Sequence, residues 1–75
     1  MNKARRKYLN KARELLNEAN DIINDVMNDE EDSYNNLPDN FQESTKGDEM
    51  ENNISELEDC IGFIEDALGS LDNIE

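Results

Sequence analysis

Two rows of apolar residues, each advancing by alternate steps of four and three, constrain this chain more than any other feature. The first row is Tyr8, Ala12, Leu15, Ala19, Ile22 and Val26. The second is Met50, Ile54, Leu57, Ile61, Ile64, Leu68 and Leu71. Such spacing holds residues on one side of a 3.6-residue helix and fits no strand. Leu9, Leu16 and Ile23 widen the first row, and Cys60, Ala67 and Ile74 flank the second, each set seven residues apart. After Val26 the first row meets Asp29 and Ser33, and the apolar side is expected to rotate onto Ile23, Met27 and Tyr34.

Between the rows lies the only proline, in "NNLPDNFQESTKGDEME". A residue before proline disfavours helix, so the first helix is expected to stop near Asn35. Pro38 suits the start of a short turn over "PDNFQ". Thr45 with Asp48 fits a capping box for the second helix. The expected fold is all-α: a single hairpin domain over residues 1–75, with an antiparallel helix pair at about 3–35 and 46–72 and a connector at about 36–45. Tyr34, Leu37 and Phe41 are expected to plug its open end against Met50 and Ile54. The rows are wider than one facing helix covers, which predicts a homo-oligomeric bundle.

Charge is distributed unevenly. The first thirteen residues hold six of the seven cations and no acid, and all twenty acids follow. Net charge is −13, which opposes direct binding of nucleic acid phosphates. Arg5, Arg6 or Lys7 is expected to meet Glu65, Asp66, Asp72 or Glu75 across the hairpin. No run approaches the roughly 20 apolar residues of a membrane span, and the basic start lacks the apolar stretch of a signal peptide.

Catalytic and metal chemistry find little to work with. There is no histidine and one cysteine, Cys60, so histidine triads and the usual zinc sites cannot form within one chain. The twelve residues from Asp32 to Glu43 fail as a calcium loop, because Tyr34 stands at a ligand position and Leu37 where glycine is needed. The chain reads as no enzyme and as needing no cofactor or metal.

Candidate recognition residues are of two kinds. Asp21, Asp25, Asp29 and Asp32 advance by four, four and three and share a helix side, as an acidic imitation of nucleic acid requires. Their bland alternative is a solvated face. Pro38 and Phe41 in the connector, and Gly62 with Phe63 on the second helix, are places where another chain can approach closely. Gly62 and Gly69 each cost about 1 kcal/mol relative to alanine inside a helix.

The connector carries a resemblance. Asn36, Leu37, Pro38, Asp39, Gln42, Ser44, Gly47, Met50 and Glu51, with the basic "ARRK" of Ala4 to Lys7, are similar to a pattern in small, acidic, uncharacterised helical proteins of phages and mobile elements in Gram-positive bacteria. Gly62 and Gly69 depart from the alanine- and glutamate-rich second helix of that group. The resemblance implies an accessory phage product with no established activity, and the single cysteine, which can form no disulfide within the chain, suggests a reducing compartment such as the bacterial cytoplasm. Together these readings give a non-enzymatic protein-binding module, an inhibitor or acidic mimic directed at a basic, nucleic-acid-handling or immune protein of the host. The alternative is a structural homo-oligomeric bundle.

Overall fold

A computed structural model describes all of residues 1–75. It is all-helical: α1 spans Lys3–Asn35, α2 Asp39–Gln42 and α3 Thr45–Asp72. The long helices α1 and α3 pack on each other as a hairpin measuring 58 × 15 × 12 Å. So thin a body shelters little. Only Gly47 and Met50 are buried, both at the connector end.

No glycine or proline interrupts α1. Asn2 caps it, its Oδ1 accepting from the Arg5 N–H at 2.8 Å. At the other end the Asn36 N–H donates to Asp32 O and the Leu37 N–H to Tyr34 O, each at 3.1 Å. Helix ends leave carbonyls unpaired. The Gln42 side-chain amide folds back on this end, donating to Leu37 O and, as a further donor, to Tyr34 O at 3.2 Å each. Charge along α1 runs against its dipole. Cations stand in the first turns and Asp29 to Asp32 near the last, opposite to the arrangement a helix favours.

Three local expectations are corrected. The N-cap of α3 is Ser44, one residue before Thr45. Ser44 is extended, its Oγ accepts from the Gly47 N–H at 3.4 Å, and that hydroxyl also donates to Phe41 O. Phe41 does not plug the hairpin: it is 51% exposed, while Tyr34 and Leu37 are half-buried. Gly47 takes the space instead. A Cβ on it would stand 2.8 Å from Gln42 Cα and overlap the Gln42 carbonyl. The first turn of α3 therefore sits on the backbone of α2 too closely for a side chain between them.

The third correction concerns which side of α1 faces α3. The α3 row from Met50 to Leu71 turns inward as its spacing predicts. On α1 the half-buried line is Leu9, Leu16, Ile23, Met27 and Tyr34 along the whole helix, with no rotation at Val26. Tyr8, Leu15, Ile22 and Val26 are 77%, 51%, 64% and 49% exposed. The reason is continuity. The Leu9 line, broken by Asn20, resumes with Ile23, Met27 and Tyr34 as far as the connector, whereas burying the Tyr8 row would carry the charged Asp29 and then Ser33 into the seam.

Candidate interaction faces

Two side-chain contacts define how the helices are aligned. Arg13 Nη2 lies 3.2 Å from Asp72 Oδ1, and Tyr34 Oη donates to Glu51 Oε1 at 2.5 Å. Both place the same residues of α1 and α3 at the same level. This corrects the expected cross-hairpin pairs of Arg5, Arg6 or Lys7. Those residues lie about two turns before Arg13, past the last turn of α3, so Arg13 is the cation within reach.

The same ion pair shows which sides of the two helices coincide. Each residue turns about 100° around a helix. Counting from Asp72, Glu65 and Glu58 fall on the Arg13 side of α3. Cys60, Phe63 and Ala67 fall on the other side, which Tyr8, Leu15, Ile22 and Val26 share. On one broad face α3 presents Glu58, Glu65 and Asp72; on the other the Tyr8 row of α1 and Cys60, Phe63 and Ala67 of α3 form an apolar patch that gives way to Glu56 and Glu49 toward the connector. Phe63 is 71% exposed and Cys60 is exposed as a free thiol. The Tyr8 row, which its periodicity presents as core, is therefore a surface. The Asp29 and Ser33 that interrupt it were the available signal.

Asp21, Asp25, Asp29 and Asp32 line the exposed outer edge of α1. None has a cation within ion-pair distance. Among the twenty acidic side chains only Glu14, 3.8 Å from Lys11, and Asp72 do. Pro38 and Phe41 are exposed at the connector, well apart from Phe63 in mid-α3. Nothing stands within 4 Å of where a Cβ would extend from Gly62 or Gly69. Gly62 turns toward the acidic side, so it does not join Phe63 in one patch. The candidate residues therefore form an acidic edge, a connector tip and an apolar face, and do not converge on one site.

The Tyr34 phenol is held away from its ordinary titration. Its hydrogen bond to Glu51 stabilises the protonated phenol, and partial desolvation and the negative charge of Glu51, Asp48 and Glu43 add to this, raising its pKa above the usual 10.0. No group of three or more His, Cys, Asp or Glu side chains converges as a metal centre. No helix is long and apolar enough to cross a membrane. No protein-family model, curated protein or solved structure matches the chain.

Proposed function

We propose that this chain is a non-enzymatic protein-binding module, an inhibitor of phage or mobile-element origin that occupies a basic, nucleic-acid-handling or immune protein in the cytoplasm of a bacterial host. The observation that supports it is the row Asp21, Asp25, Asp29 and Asp32, exposed along a rigid helix and unpaired with any cation of the chain. Successive members are about 4.5–6 Å apart along the axis. Phosphates of one DNA strand are closer, about 3.4 Å, so the row supplies a negative track rather than a copy of the phosphate lattice. Binding of this kind is driven by charge and weakens with salt.

The test is capture from a bacterial lysate on the tagged protein. A basic partner is expected, released by raised salt and by competing nucleic acid. Asp21→Lys, Asp25→Lys and Asp29→Lys together should abolish capture with helicity unchanged. Capture that survives both the triple change and high salt would refute the acidic-track reading. A structural role as a homo-oligomeric bundle is the second reading, favoured by the exposed apolar row on α1.

A further inference from the structure

We infer that a second copy of this chain covers the apolar face, laid antiparallel so that α1 packs on α1 about a two-fold axis at the level of Asn17. The inference stands apart from capture of a basic partner.

The spacing of the Tyr8 row, four of whose six residues are exposed, is the first reason. Tyr8, Ala12, Leu15, Ala19, Ile22 and Val26 advance by four, three, four, three and four, which reads the same in either direction. Turned end for end about Asn17, the row meets itself: Tyr8 opposite Val26, Ala12 opposite Ile22, Leu15 opposite Ala19. An isologous contact needs such a self-complementary surface. The row is about 27 Å long.

Helix α3 supplies the second reason. Because Arg13 is level with Asp72, Asn17 is level with Leu68. An axis there lets the two α3 helices overlap only from about residue 61 onward. Phe63, 71% exposed, lies within that stretch with Ala67 on the same side, and comes opposite the end of the other α3. On the same side of α3, Glu49 and Glu56 lie outside the overlap, where the face stays in water. The face of α3 thus changes from Glu49 and Glu56 to Cys60, Phe63 and Ala67 close to where the second copy begins to reach.

Charge is the third. The antiparallel copy sets Arg5 opposite Glu30 and Lys11 beside Asp25, twice each by symmetry. A parallel pairing of the α1 helices would instead set cations on cations and acids on acids. The charges that oppose the dipole of α1 are those the antiparallel copy neutralises. One like-charge contact opposes it, Glu18 meeting its own counterpart on the axis. A two-fold axis running along the helices would put α1 on α3 of the second copy. That arrangement leaves Tyr8 beyond the last turn of α3.

Sedimentation or light scattering on the full chain tests this. The expected mass is twice 8.6 kDa. Ile22→Lys should reduce it to 8.6 kDa with the helical circular dichroism retained. If that variant loses helicity, Tyr8→Lys replaces it, since Tyr8 overhangs α3 and serves no seam. With Cys60 changed to Ser, Glu18→Cys should cross-link two chains, and Asp32→Cys should not, because two such residues stand about 45 Å apart. A mass of 8.6 kDa at every concentration, a dimer that survives the lysine variants, or equal cross-linking at both positions would overturn the inference.

Discussion

The Arg13 guanidinium lies 3.2 Å from the Asp72 carboxylate, and that pair records the alignment of the whole hairpin. A shift of α3 by one turn would move Asp72 about 5 Å along the axis, out of reach. Exposed pairs contribute only about 0–1 kcal/mol, and Asp72 is largely exposed. The pair thus reports the alignment more than it enforces it. Enforcement comes from the connector, where α2 and the first turn of α3 leave no slack.

Glycine substitutions should separate that connector from the rest of α3. Gly47→Ala drives a methyl into the Gln42 backbone and should destabilise by about 1–3 kcal/mol, as overpacking does. Gly62→Ala and Gly69→Ala meet open space and should each stabilise by up to about 1 kcal/mol. Thermal denaturation monitored by circular dichroism distinguishes the two outcomes. A neutral Gly47→Ala would contradict the close approach.

Leu15 and Leu16 should respond differently to truncation, though neighbours in sequence. Leu16 lies in the seam and Leu15 is 51% exposed. In the Ile22→Lys background, where self-association should not contribute, Leu16→Ala is expected to cost roughly 1–2 kcal/mol and Leu15→Ala a few tenths, in proportion to the area each shelters. Equal costs would return the Tyr8 row to the core.

Asn20 sits in the seam with a shielded Oδ1 that has no hydrogen-bond partner, while the side chain of Asn24 donates to the Asn20 carbonyl at 2.9 Å. Leaving such an atom unpaired costs about 1–3 kcal/mol. Asn20→Leu should therefore raise the denaturation midpoint. A lowered midpoint would show that the amide makes a bond worth keeping.

The raised Tyr34 pKa carries a stability consequence at high pH. A group whose pKa is higher in the folded state stabilises fully below its unfolded value, near 10, and loses that contribution as pH rises through the folded value. In Tyr8→Phe protein, ultraviolet titration should show Tyr34 ionising above pH 10. Glu51→Gln should bring the midpoint down toward the ordinary value. An unchanged midpoint would remove Glu51 as the cause.

Much of the fold was legible before the structure. The helix bounds near Asn35 and Asp72, the turn begun by Pro38 and the inward row of α3 follow from local chemistry: proline geometry, capping and periodicity. The acidic row on α1 was legible too, as residues sharing one side of a helix. The capping residue was misplaced by one position, because Ser44 and Thr45 are adjacent and either hydroxyl can cap. The neighbour against which Gly47 packs was not legible, since it depends on where α2 ends.

Sequence by itself determined that two amphipathic helices form, where they stop, and that one end is basic and the rest acidic. Each of those properties is set within a few residues of chain. Only the tertiary structure decided which of two adjacent apolar rows on α1 became the seam. Periodicity makes Tyr8–Leu15–Ile22 and Leu9–Leu16–Ile23 equally apolar sides of the same helix. The choice between them depends on what α3 would meet farther along, Asp29 and Ser33 or Met27 and Tyr34, and that comparison exists only once the connector has brought the two helices together.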